Sequence, residues 1–170
     1  MARKTPWEDE AGQRKLLDLV RAIKSRPDPP VSQRASKGGM WYCPTGELWS
    51  QLSLLGPSGR ETWNDFPGCN CGYSAPEIRS WVNVNAFVAR LSVSEVRDFW
   101  LYGIWAMVPA FEEEVVDDDE ASALEQLDVV VSVAAAWFHV AGRAMHERIM
   151  SNNTGEPELV PADHLPMNPP

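Results

Sequence analysis

The chain reads as an all-α, single-domain helical bundle, with central apolar helices wrapped by shorter amphipathic ones, and three observations carry that reading. No stretch alternates apolar and polar residues at period two for more than a few positions, so no sheet is expected. Two long uncharged runs, Phe99 to Phe111 and Val129 to Gly142 with His139 as its one ionisable residue, suit helices that are apolar nearly all round. With 170 residues and 44% apolar content, the chain is long enough for a single core.

The first helix is expected from about Trp7 to Arg26, where Leu16, Leu17, Val20 and Ile23 recur at helical spacing between an acidic first turn and a basic last one. "PDPP" ends it, and the proline- and glycine-punctuated span that follows is a connector. A short second helix is read through Leu48, Trp49, Leu52 and Leu55, closed by Gly56-Pro57, with another brief turn through Trp63. Ser74-Ala75-Pro76-Glu77 is a capping box that starts the next helix, running to about Leu91. Ser92 to Glu95 repeats that start grammar for a helix containing "FWLYGIWAMVPAF", which ends in the acidic run Glu112 to Glu120. A last long helix is expected from about Ala121 to Met150. The organisation is thus one helical domain over residues 1–150, with loops at 27–44 and 65–75, and a proline-rich acidic tail at 151–170.

A net charge of −9 disfavours nucleic acid and anionic lipid as partners. The uncharged runs are shorter than the roughly 18 residues a membrane helix needs, and the N-terminus carries no secretory pattern, so no membrane span and a cytoplasmic setting are expected. The three cysteines, Cys43, Cys69 and Cys71, suggest neither a disulfide framework nor a zinc site, and no cofactor or metal is expected. No nucleophile elbow, phosphate loop, dinucleotide fingerprint or metalloprotease motif occurs.

What remains is polar atoms inside apolar helices. In "SWVNVNAFVARL", a 100° wheel puts Ile78, Trp81, Val82, Asn85 and Val88 on one face and Asn83, Phe87 and Arg90 on another. A buried carboxamide without partners costs about 1–3 kcal/mol, so each amide either ties chain segments to the core or lines a cavity and donates to a ligand. Asn85, which shares its face with Trp81, is the better candidate for the second role. In the last helix Asp128, Ser132, His139, Arg143 and His146 form a polar stripe. Leu124, Leu127, Val131, Ala134, Phe138 and Met145 flank it on one side, and Val129, Val133, Trp137 and Val140 on the other. His139 is either a structural group at a groove edge or a proton donor or acceptor facing a pocket.

The blocks "LWSQLSLLGPSGRETWN", "WVNVNAFVARL", "DFWLYGIWAMVPAFEEE" and "AAAWFHVAGRAMHE", taken in order from Leu48 to Glu147, resemble a family of small all-helical fungal proteins catalogued as a domain of unknown function. Pro109 and the "GCNCG" segment depart from the family's pattern. The resemblance implies a fungal intracellular setting, and small orphan proteins of this kind occur among genes for secondary metabolites. Two functions fit these features. One is a cofactor-independent cyclase or isomerase, of Diels–Alder type, that folds a hydrophobic metabolite in a pocket lined by Trp81, Phe99, Tyr102, Trp105 and Trp137, with Asn85 as donor and His139 as alternative donor or base. The other is a non-catalytic helical module that binds a small metabolite or docks on a protein partner. An enclosed volume of about 300 Å³ or more favours conversion or carriage; a solid core under an exposed apolar stripe favours docking.

Overall fold

The computed structural model describes residues 1–28, 47–69, 71–117 and 119–152. A 3-10 turn, Ala2–Lys4, precedes α1 (Glu10–Lys24), α2 (Leu55–Asn64), α3 (Ala75–Val93), α4 (Trp100–Phe111) and α5 (Ala123–Asn152). The described residues contain no strand, and their one β-bridge is the isolated Pro67–Cys71 pairing inside the 65–75 loop. The molecule is all-α. The expected 27–44 loop and 151–170 tail lie mostly outside the described residues.

Helix α3 is the hub. It packs against α5, α1, α2, α4 and the N-terminal turn, and buries eleven of its nineteen residues. Ala86 and Ala89 on α3, with Ala136 and Ala141 on α5, are buried to 1% exposure or less, so no long side chain at these positions holds the two axes apart. Leu17 of α1, Leu52, Val96, Phe99, Val133 and Trp137 complete the core.

Helix boundaries follow local hydrogen bonding. Asp9 starts α1 by accepting from the Gly12 N–H at 2.9 Å. At α5, Ser122 and Glu125 form a reciprocal box: the Glu125 N–H donates to the Ser122 hydroxyl at 3.3 Å, and the Ser122 N–H to the Glu125 carboxylate at 3.0 Å. Asp117, from the acidic run, accepts from the Ala123 N–H at 2.7 Å. At α3 the Ser74 hydroxyl donates to Glu77 at 2.5 Å, and Glu77 also accepts from the Gly72 N–H; Ser74 makes no side-chain bond to the helix backbone.

Three sequence expectations are corrected. Gly56-Pro57 does not close a helix; it lies in the first turn of α2, where the missing proline N–H would have had no intrahelical partner. The preceding residues form turns, with the Trp49 and Ser50 N–H groups donating to the Asp28 carboxylate at 2.6 and 3.3 Å. Ser92 does not start the next helix. It sits in the last turn of α3, donating to the Val88 carbonyl and accepting from the Phe99 N–H at 3.0 Å, and Asp98 marks the new start by accepting from Trp100 N–H. Finally, α4 and α5 are not enclosed. Within α4 only Gly103 and Ala106 are buried, and α5 buries one face while leaving another apolar face in solvent.

Candidate functional site

Asn85 lies at the α3–α5 contact with no exposed surface. Its amide nitrogen donates to the Trp81 carbonyl at 3.0 Å, and its oxygen accepts from the Trp137 indole N–H, also fully buried, at 2.9 Å. Both polar ends of the side chain are therefore engaged within the protein. Asn83, two residues earlier on α3, binds the N-terminal segment: it accepts from the Trp7 N–H at 2.9 Å and donates to the Arg3 carbonyl at 3.1 Å. Arg90 adds bonds to the Trp7 carbonyl at 3.0 Å, the Ala86 carbonyl at 3.2 Å and the Glu10 carboxylate at 2.5 Å. The polar groups of α3 thus fasten α5 on one side and residues 3–10 on the other.

His139 stands apart from Asn85. Two residues after Trp137, and so roughly 200° around α5, it leaves the opposite side of the helix into solvent. Its ring meets Trp7 edge-on at 5.3 Å. It borders an open cleft of about 220 Å³ with Glu10, Arg90, Val93, Ser94 and Val140. A second open cleft, of about 450 Å³, runs along the charged side of α1 between Glu10 and Asp18. Glu10 and Arg90 were not singled out by sequence, since an ion pair across 80 residues leaves no local signal.

Four of the five expected aromatics do converge. Trp81 and Tyr102 both pack edge-on against Trp63 with ring centres 4.8 Å apart, and Tyr102 also meets Phe99 at 5.2 Å and Trp105 at 5.1 Å. These rings fill space against one another. Trp63, a lone tryptophan in a short polar helix, ties the group together and was absent from the expected set. Trp137 belongs to the Asn85 pair, where its ring lies so close to Gly103 that an added Cβ there would sit 2.9 Å from it. Burial pushes the Tyr102 phenol above its ordinary range and raises the Cys71 thiol as well, so neither group is prepared as a base or a thiolate nucleophile.

The largest uncovered feature lies on the outside. Leu101, Ile104, Trp105 and Phe111 point outward from α4, and Leu124, Leu127, Val131, Phe138 and Ile149 from α5, with exposures from 36% at Trp105 to 76% at Leu124. The two sets adjoin, because Phe111 at the end of α4 meets Phe138 of α5 at 5.9 Å while Arg148 lies over Trp100 at 5.8 Å. That pairing also makes the helices antiparallel. The sequence carried the signal: Leu124, Leu127, Val131, Phe138 and Met145 follow a three-four spacing. On the sequence alone the same spacing is a flank of the polar stripe.

Residues 1–164 match the model of a family described as "Protein of unknown function (DUF3632)". Neither a curated protein nor a solved structure matches the chain.

Proposed function

This chain belongs to the family described as protein of unknown function (DUF3632), and we propose that it is a helical docking module that engages a protein partner through the outer face of α4 and α5. The observation that carries this reading is a contiguous apolar face, without a charged side chain across α4, lying over an interior whose central amide is already bonded on both sides. Nine large apolar side chains at these exposures present on the order of 900 Å² of surface, above the roughly 300–600 Å² of the largest patch on a typical monomer. Removing that area from water is a strong and non-directional drive to associate.

The cyclase reading draws less support. It asks for an enclosed apolar volume beside an available donor. Both clefts described above are open and share Glu10 in their lining, the aromatic rings pack edge-on against one another, and Asn85 donates to Trp81. A fungal secondary-metabolite setting, implied by the resemblance of the sequence blocks, is where a partner would first be sought.

The test is the native mass of the chain in extracts of its own cells, with wild type beside Leu127→Glu/Phe138→Glu. The wild type is expected to run well above the 19.0 kDa of one chain and the variant to run at one chain's mass. A wild-type chain that runs as a lone monomer in the extract removes the docking function.

A further inference from the structure

We infer that the occupant of the α4–α5 face is a second copy of this chain, with the two α5 helices antiparallel across a two-fold axis; this rests on the docking reading above and names its partner. The first support is positional symmetry within α5. The outward stripe is matched about a point between Ala136 and Trp137: Leu124 answers Ile149, Val131 answers Gly142 and Ala135 answers Phe138, while Leu127 answers His146 at the edge of the stripe. In an antiparallel pair each of these positions meets its counterpart, so the exposed Phe138 ring of one copy faces Ala135 of the other and Val131 faces Gly142, large against small at both places. A two-fold interface requires such self-complementarity of one patch.

The second support is charge. Glu125 and Asp128 occupy the N-terminal half of α5, while Arg143 and His146 occupy the C-terminal half on the same flank of the stripe. A two-fold axis perpendicular to the helices keeps that flank on one side and reverses its direction. The acidic half of one copy then lies along the basic half of the other. Arg143 already bonds Glu147 through its Nε at 2.8 Å, and its side chain is exposed, so its remaining guanidinium donors can reach across.

The third support is area. About 900 Å² per copy meets the roughly 800 Å² that each partner contributes to a standard stable interface. A membrane surface fits the same face less well. Although α5 is long and apolar enough to cross a bilayer by length and composition, a helix lying on lipid carries lysine and arginine along its polar flanks, and this face is bordered by Glu112, Glu113, Glu114 and Asp117 in a chain of net charge −9.

Sedimentation equilibrium of the purified full chain, from low micromolar to a few hundred micromolar, is expected to reveal a species of twice the 19.0 kDa chain mass. Phe138→Glu is expected to be monomeric with unchanged helical circular dichroism, and Val131→Glu serves in its place should that variant lose its helical signal. Asp128→Lys is expected to weaken association about threefold to tenfold at low ionic strength. A wild type that stays monomeric, or a dimer that both glutamate variants leave intact, overturns the proposal. Tighter association of Asp128→Lys overturns the antiparallel arrangement. If the pure chain is monomeric but floats with phosphatidylcholine vesicles, lipid takes the place of the second copy; if it is monomeric yet larger in extract, the docking reading survives and the second copy does not.

Discussion

Asn85 and Trp137 are each fully buried and each satisfies the other, the amide oxygen taking the indole N–H at 2.9 Å. Truncating the asparagine leaves that N–H without a partner in a place water does not reach, which costs about 1–3 kcal/mol beyond the lost packing. Asn85→Ala is therefore expected to lose about 2–3 kcal/mol in urea unfolding. Combined with Trp137→Phe, it should show a coupling of about 1 kcal/mol or more, since both changes remove the same bond. Strict additivity would mean the bond contributes nothing. Asn83 plays the corresponding part for the N-terminal segment, so Asn83→Ala is expected to speed hydrogen exchange at the Trp7 amide while amides in the middle of α3 stay protected. Equal protection at Trp7 in both proteins would show that Arg90 alone holds the segment. That the amides needed partners was legible in the sequence; which partners was not, because Asn85 finds Trp137 at a separation of 52 residues and Asn83 finds Arg3 at 80.

Helix ends and helix contacts show where local reasoning holds. The carboxyls of Glu77 and Glu125 are held below the ordinary 4.5, each chiefly by the hydroxyl of the serine three residues before it. A carboxyl depressed in the folded state binds its proton more readily once unfolded. Its contribution is therefore complete above the ordinary carboxylate range and is lost as pH falls through the lowered value. Glu77→Gln/Glu125→Gln is expected to flatten the fall in stability below about pH 4.5, read as unfolding midpoint against pH. A slope equal to that of wild type would remove these two boxes as contributors. At the α4–α5 contact, Gly103 lets the Trp137 ring lie against the backbone, and Gly103→Ala is expected to cost about 1–3 kcal/mol because that ring is pinned by Asn85 and cannot retreat. A neutral or stabilising alanine would mean that α4 shifts freely on α5. The capping residues announced α3 in advance, whereas Gly56-Pro57 misled, since the same dipeptide suits the end of one helix and the first turn of the next.

On the scale of the whole molecule, the all-α class was visible because apolar spacing is a property of the chain itself. Placement of the apolar helices was not. A helix that is apolar all round suits either a core or an interface, and periodicity does not distinguish them. α4 illustrates this, with twelve residues, none of Asp, Glu, Lys, Arg or His among them, and only Gly103 and Ala106 buried. The expectation of a hollow centre followed from assigning every apolar face to the interior, with the aromatic rings left to enclose a space. In the structure Trp81, Trp63 and Tyr102 fill that space, and the surplus apolar surface faces outward on α4 and α5. The central claim is that the inner face of α5 is core and its outer face is free to associate. It is tested most directly by placing the same charge on each face and measuring unfolding in urea at a concentration where the wild type is monomeric. Val133→Glu, buried at 3% exposure, is expected to lose more than about 4 kcal/mol or fail to fold, and Phe138→Glu, 52% exposed, to keep the stability of the isolated chain within about 1 kcal/mol. Comparable losses at both positions would contradict the account, because they would mean that the outer face is already covered within a single chain.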